Sequence, residues 1–349
     1  MDQSFPRKSG SLAEGAVLFA RNNAFSPFVN FLDDLGAPTD RWSLGAHMPV
    51  DQRYDPEGLV SLVSGYRFLE LAARKEKLRE LGVATALRTS TYELGAYGAA
   101  LRDGATIFEY LERGTRLVTT LCSGGTRFWL RREGAQLRVQ QHLAGPDGLG
   151  VQIADVYTLV ITITMLQHLI GPDWLPGELR LRAGVEQLLG DWQVPEAVAV
   201  FTDQPLTSFT LPCSVLSRPV PAVCARTISN HSSASRVVPL MPIDFLSSMQ
   251  QLVQTMVVAA CPDIRSTAKA ANLSSRTLQR QLAQHGTSYR SLVNAARLNI
   301  AQERLTGSDM RITDIALELG YTDGSNFARA FQRQTGVAPL AYRIAHQQQ

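Results

Sequence analysis

The chain has 349 residues, 45% of them hydrophobic and 19% charged, with a formal net charge of +3. This composition excludes disordered, collagen-like and disulfide-scaffold proteins, and the length favours two domains over one. The charge is uneven: residues 261–349 carry eleven Arg and Lys against six Asp and Glu, a net of +5, which leaves −2 on the rest. A basic end on a slightly acidic body points to a polyanionic partner for that end.

Residues 1–25 read as a flexible lead, and the polar stretch 1–15 has no apolar core of a signal peptide. Ser26-Pro27 opens a short helix carrying Phe28, Phe31, Leu32 and Leu35 and closed by Gly36. A longer helix is expected after Pro56, with Leu59, Leu62, Val63, Tyr66, Leu69 and Leu71 on its apolar side. A third helix runs from about 106 to 121, with Phe108, Leu111, Leu117 and Val118 inward. Beyond Gly124-Gly125 the pattern becomes strand-like. Phe128-Trp129-Leu130 and the alternation through Leu137 and Val139 flank Glu133-Gly134, which predicts a β-hairpin.

Residues 156–170 form the most apolar run. Thr158, Thr162, Thr164, Gln167 and His168 interrupt it, so it falls short of the ~18 apolar residues of a membrane span and reads as a buried helix. His168 on that helix reads as a hydrogen-bonded core histidine or a ligand contact. Strands are expected at 179–182, 197–201 and 208–211. Residues 26–218 therefore form an α+β domain whose sheet is antiparallel, since no regular βαβ alternation appears. Four prolines and the polar run 229–233 mark 219–243 as a linker. An all-helical domain occupies 244–346.

That second domain holds an internal repeat. The segments 264–286 and 312–336 align Ala268 with Ala316, Leu278 with Phe327, Arg280 with Arg329, Leu282 with Phe331 and Gly286 with Gly336. Each segment supplies a helix with small inward residues, a tight turn and a second helix anchored by apolar residues four apart, which is the helix-turn-helix pattern. In the first unit Ser274 or Ser275 caps the second helix, which turns Ser275, Arg276, Gln279 and Arg280 toward solvent. In the second, Phe327 and Phe331 anchor while Ser325, Asn326, Arg329 and Arg333 face outward. Arg, Gln and Asn can bond base edges bidentately. Between the units, residues 289–305 form one helix that fixes their separation, so two reading helices can enter major-groove faces about 34 Å apart. These residues are the candidate contacts to double-stranded DNA.

The run Leu273-Ser-Ser-Arg-Thr-Leu-Gln-Arg-Gln-Leu, with Gly286-Thr-Ser-Tyr, Leu319-Gly320-Tyr321, Ser325-Asn-Phe-Ala-Arg-Ala-Phe and Gly336-Val-Ala-Pro339, resembles the AraC/XylS family of bacterial transcription regulators. Leu94-Gly95-Ala-Tyr-Gly-Ala-Ala-Leu, Thr106-Ile-Phe-Glu-Tyr-Leu and Leu206-Thr-Ser-Phe-Thr-Leu-Pro resemble the arabinose-binding-like, non-cupin sensor domain found in this family. The resemblance implies a cytoplasmic, effector-responsive regulator, usually an activator. It further implies a small-molecule effector, a homodimer, operator DNA and RNA polymerase as partners.

No cofactor or metal is implied. The cysteines Cys122, Cys213, Cys224 and Cys261 lie far apart, with no C-x-x-C pair and no nearby His at ligand spacing. Two other classes compete with the ligand-responsive regulator. One is an enzyme-like, amidotransferase-type domain fused to a DNA-targeting module, for which Thr120-Leu-Cys122-Ser-Gly124 would have to form a nucleophile elbow between a strand and a helix. The other is a constitutive DNA-binding repressor or architectural protein, which would not require the mass of residues 26–218. Phe128 and Trp129 point to opposite faces of their strand, so one of them can line a pocket.

Overall fold

The computed structural model describes residues 18–48, 58–123, 126–190, 192, 194–220, 244–259 and 262–347. These fall into two compact units, one reaching Val220 and the other starting at Asp244.

The N-terminal unit begins with a short strand, β1 (Phe19–Arg21), paired antiparallel to β2 (Leu59–Ser61). Residues 18–25 are therefore no flexible lead: Phe19 and Ala20 are fully buried, and Phe25 nearly so. Residues 1–17 lie outside the described residues. Helices α1 (Ser26–Asp34) and α2 (Thr39–Ala46) follow, α1 with Pro27 in its first turn and Phe28, Phe31 and Leu32 buried. The helix expected after Pro56 starts only at Leu62, as α3 (Leu62–Lys75). Leu59 belongs instead to β2, because β1 offers residues 59–61 a ladder of backbone hydrogen bonds that local periodicity cannot reveal. Next come α4 (Leu81–Ala86), α5 (Gly95–Arg102) and α6 (Ile107–Leu121). Thr106 caps α6 by accepting from the Glu109 N–H. This start sets the helical phase: Ile107, Leu111 and Val118 face inward and Phe108 is 43% exposed, contrary to expectation.

The hairpin forms as expected from β3 (Arg127–Glu133) and β4 (Gln136–His142) around Gly134, whose φ of 62° suits glycine. Strands β5 (Glu178–Arg182), β6 (Ala199–Gln204) and β7 (Thr207–Pro212) complete a five-stranded sheet in the order β3-β4-β7-β5-β6. It is antiparallel except for the β5–β6 pair, which is parallel and forms an exposed edge.

Helix α7 (Leu149–Ile170) is the spine of this unit. By length and hydropathy it could cross a membrane, yet 72% of its most apolar window is buried within the fold. It packs on α3 and α4 at backbone distance. A Cβ on Gly150 would sit 2.0 Å from the Tyr66 carbonyl oxygen, and one on Gly82 would sit 2.5 Å from that of Ile153. His168 is not a core histidine: it is exposed near the C-terminal end of α7, with its Nδ1 2.8 Å from the Thr164 carbonyl oxygen. The unit also extends past the expected boundary. Thr106 bridges to Pro219, and the Val220 N–H donates to the Ala105 carbonyl, so 219 and 220 are not linker. The remainder of the expected linker, 221–243, lies outside the described residues.

The C-terminal unit is all helical: α8 (Phe245–Ala259), α9 (Ile264–Ala270), α10 (Ser275–Gln284), α11 (Tyr289–Gly307), α12 (Ile312–Glu318), α13 (Gly324–Thr335) and α14 (Pro339–Gln347). The long α11 packs on α8, α12 and α14. Its buried residues are Leu292, Val293, Ala296, Ile300, Ala301 and Leu305.

Candidate DNA-binding surface and effector cavity

The sequence repeat in the C-terminal unit is also a repeat of backbone geometry. After α9 the chain turns through Asn272 at φ 57°, and after α12 through Gly320 at φ 75°. The following N–H groups then reach back to equivalent carbonyls, Leu273 to Ala268 at 2.8 Å and Tyr321 to Ala316 at 2.9 Å. These bonds satisfy carbonyls that the ends of α9 and α12 would otherwise orphan. The small buried side chains of Ala268 and Ala316 let the helices of each unit approach closely. Each second helix is then capped. Ser274 accepts from the Thr277 N–H at 3.1 Å, and Asp323 accepts from the Asn326 N–H at 2.7 Å. The latter bond holds the Asp323 carboxyl below its usual pKa.

On α10, Leu278 and Leu282 are buried, Arg276, Gln279 and Arg280 are exposed, and Ser275 is half-buried at the first turn. On α13, Phe327 and Phe331 are buried, Ser325, Arg329 and Arg333 are exposed, and Asn326 is half-buried. Among the described residues no acidic side chain pairs with Arg276, Arg280 or Arg333. Asn326 is committed within its own helix start: its amide donates to Thr322 and Asp323, and its Oδ1 accepts from Arg329 Nη2 at 2.7 Å. It therefore aims the Arg329 guanidinium. The i, i+3 spacing of Asn326 and Arg329 was the available signal for this link.

Residues that hold the second unit in place escaped the sequence reading. The Arg297 guanidinium lies 5.2 Å from the centre of the Tyr321 ring. Arg304 on α11 bonds Glu318 on α12 at 2.8 Å. Arg343 on α14 donates to the carbonyls of Leu305 and Met310, which closes the end of α11. The Tyr342 ring packs edge-on against Phe331, with centroids 5.3 Å apart.

The N-terminal unit holds a partly open cavity of about 130 Å³ between the turn that leads into α1, α1 itself, α3, α5, α6, the β3–β4 hairpin and α7. Its wall includes Phe25, Phe28, Tyr66, Tyr97, Tyr110, Phe128 and Tyr157, together with Met165 and Cys122. Most hydroxyl groups of this wall are turned into the protein, whereas the buried Tyr157 hydroxyl has no hydrogen-bond partner among the described residues. Tyr66 donates to the Ala144 carbonyl at 3.0 Å, Tyr97 to that of Gly114 at 3.3 Å and Tyr110 to the Met165 thioether at 3.2 Å. Thr115, Thr158 and Thr162 donate to carbonyls of their own helices. The Gln141 amide donates to Asp155, which is fully buried behind the wall and also accepts from Thr207. Burial raises the pKa of Asp155 despite these bonds. Among the described residues none that lines the cavity has an ionised or imidazole side chain. Phe128 and Trp129 both border an outer groove, and Phe128 alone also lines the cavity.

Cys122 is no nucleophile elbow. Helix α6 precedes it, its own backbone is extended and bridges antiparallel to Ala20, and strand β3 follows, so its thiol meets no helix N-terminus. Burial pushes its pKa up to about 12, so it stays a neutral thiol. Among the described residues no group of His, Cys, Asp and Glu could hold a metal ion.

The comparisons with known proteins agree with this geometry. Residues 36–220 match the arabinose-binding domain of AraC transcription regulators, and residues 267–345 match a helix-turn-helix domain. The ornithine utilization regulator of Pseudomonas aeruginosa is 30% identical over 151 residues, which cover 42% of this chain and 44% of that protein. The transcriptional activator RhaS of Escherichia fergusonii is 40% identical over 72 residues, 20% of this chain and 26% of its own. In both, the match spans less than half of the relative's length. The crystal structure of the transcriptional regulator CdpR from Pseudomonas aeruginosa aligns over 92% of this chain and 98% of its own, at 21% identity and a TM-score of 0.40. With its N-terminal domain matched over more than half of the sequence and a tandem helix-turn-helix unit behind it, this chain belongs to the AraC family of transcription regulators.

Proposed function

We propose that the protein is a sequence-specific DNA-binding regulator whose N-terminal unit senses a small-molecule effector. The observation that carries this reading is the pair of capped helices, α10 and α13, which present exposed basic and amide side chains from one helical body. Arg276, Gln279 and Arg280 of the first helix and Arg329 and Arg333 of the second contact operator DNA, with Ser275 and Ser325 at the helix starts and Asn326 orienting Arg329. Helix N-termini add favourable partial charge toward phosphates.

The effector occupies the internal cavity and acts through α6. Tyr110, Leu111, Gly114 and Val118 of α6 line that cavity. At its N-terminal end, the backbone N–H groups of Ile107 and Phe108 donate to the carbonyls of Arg218 and Leu216. A displacement of α6 thus passes to residues 216–220, where the chain leaves toward the DNA-binding unit. Two chains pair as a homodimer, so that two half-sites are engaged at raised effective concentration. Activation through RNA polymerase in the cytoplasm is the expected mode, and the similarity to the transcriptional activator RhaS supports the activating part of it.

Genome-wide footprinting followed by titration of the recovered DNA tests this reading. Affinity should fall with salt at a log–log slope near −0.9 for each phosphate contact. A flat salt response, or equal affinity for recovered and scrambled DNA, would overturn it.

A further inference from the structure

We propose that the effector is a small, uncharged, single-ring aromatic compound; this rests on the cavity being the effector site. Three observations define the class. First, among the described residues no Asp, Glu, Lys, Arg or His lines the cavity, so none of them offers an ionised ligand a counter-charge. Burying a charge unpaired is far more costly than burying an apolar group. The Asp155 carboxyl, which bonds the cavity residue Gln141, is already committed to it and to Thr207. Second, a polyhydroxylated ligand such as a sugar needs several donors and acceptors aimed at it. Here the donor protons of Tyr66, Tyr97, Thr158 and Thr162 go to backbone carbonyls, and the Tyr157 hydroxyl alone among these side chains has no partner, which is enough for one polar substituent such as a phenolic hydroxyl but not for a sugar. Third, the volume of about 130 Å³ is close to that of the dry, apolar cavity of about 150 Å³ that accommodates benzene.

The choice of an aromatic over an aliphatic ligand follows from the wall's own chemistry. The ring edges and faces of Phe25, Phe28, Tyr97, Tyr110 and Phe128 border the space, along with the Met165 thioether. Edge-to-face ring pairs and sulfur–ring contacts each add to simple area burial. The domain's arabinose label and the relative named for ornithine utilization would suggest a sugar or a zwitterionic amine, and this wall suits neither.

The test uses the full-length protein, with calorimetric titration and thermal unfolding. The probes are toluene and phenol, their charged counterparts benzoate and benzylamine, and L-arabinose and L-ornithine. Toluene or phenol should bind and raise the melting temperature, with benzoate and benzylamine at least tenfold weaker and the sugar and amino acid without effect. Gly114→Leu projects into the cavity from α6 and should abolish binding. Gly114→Ala, whose Cβ would lie 3.6 Å from Leu101 and Tyr97, keeps the fold and should weaken binding several-fold.

Tighter binding of a charged probe, the sugar or the amino acid, lost in the Gly114 variants, overturns the aromatic class and leaves the cavity as the site. A bound probe unaffected by both Gly114 variants overturns the cavity as the effector site. Failure of both neutral arenes to bind the native protein overturns the aromatic class.

Discussion

Replacing Arg329 by Ala removes one guanidinium from the exposed face of α13 without touching the anchors Phe327 and Phe331, so the fold should persist. In the free protein Arg329 Nη2 is held by Asn326 Oδ1 at 2.7 Å, and Asn326 is itself held by Asp323 at 2.7 Å. The guanidinium is thus oriented before DNA arrives, and less side-chain entropy remains to be lost on binding. A bidentate bond to a guanine edge discriminates by about 1–3 kcal/mol. At RT of about 0.59 kcal/mol, Arg329→Ala should weaken specific binding roughly 5- to 150-fold, with a much smaller loss on unrelated DNA. Asn326→Ala removes the orienting bond, whose net worth is about 0.5–1.5 kcal/mol, for a loss of about 2- to 10-fold. Because the second residue acts through the first, the double variant should bind no worse than Arg329→Ala alone. Fluorescence anisotropy titrations of the three variants on footprinted and scrambled duplexes give all the terms. Wild-type affinity in Arg329→Ala, or additive losses in the double variant, would refute this account of α13.

Phe331 is 2% exposed and packs on Phe327 and Tyr342, so Phe331→Ala should cost about 3–5 kcal/mol in urea unfolding of the C-terminal unit; a loss below 1 kcal/mol would place the anchor elsewhere. Cys122, half-buried in the cavity wall with its pKa pushed up to about 12, should react with iodoacetamide at pH 8 far more slowly in the folded protein than in the unfolded one; mass spectrometry showing modification at the rate of a free thiol would contradict the raised pKa. The Asp155 pKa is raised in the folded state, chiefly by burial. Its sign is therefore opposite to that of an ion-paired carboxylate: the contribution to stability is fully present below the unfolded pKa of about 3.9 and is lost as pH rises through the folded value. Asp155→Asn should remove that slope, so its stability relative to wild type rises with pH and then levels off. A difference that does not change with pH would show that Asp155 does not titrate in this way.

Local signals carried most of the helical unit. The anchors Leu278, Leu282, Phe327 and Phe331 sit four apart and the caps Ser274 and Asp323 precede them, so a 3.6-residue period and a capping residue suffice to find α10 and α13. The hairpin was equally legible, because its turn is two residues long and contains Gly134. Non-local pairing was not. Strand β1 exists because residues 59–61 and Cys122 pair with it, from about 40 and 100 positions away, and three residues of strand carry no period. Leu59 was assigned to a helix and Phe108 to an inner face for related reasons. A partner strand claimed the first, and the Thr106 cap set a phase that hydrophobicity alone left open. The cavity was least visible of all. Its wall is drawn from at least six elements, and each contributes aliphatic and aromatic residues that read as ordinary core. Only the Phe128–Trp129 alternation hinted at one member.

The same cavity bounds how strongly a ligand can act on α6. A ligand shifts an equilibrium only by the difference in its affinity for two arrangements. If the competing arrangement is one in which the walls have closed, filling the space recovers at most the cost of holding it open. At roughly 24 cal/mol per Å³, the 130 Å³ cavity corresponds to about 3 kcal/mol. That is a factor of about 150, enough to carry a population from 1% to near 60% but short of the full inversion that requires about 5.5 kcal/mol. Both ends of α6 are tied by backbone bonds, to β1 through Cys122 and to residues 216–218 through Ile107 and Phe108, so a shift of the helix would load both ties. The tie at 216–218 is the one that precedes the DNA-binding unit in sequence.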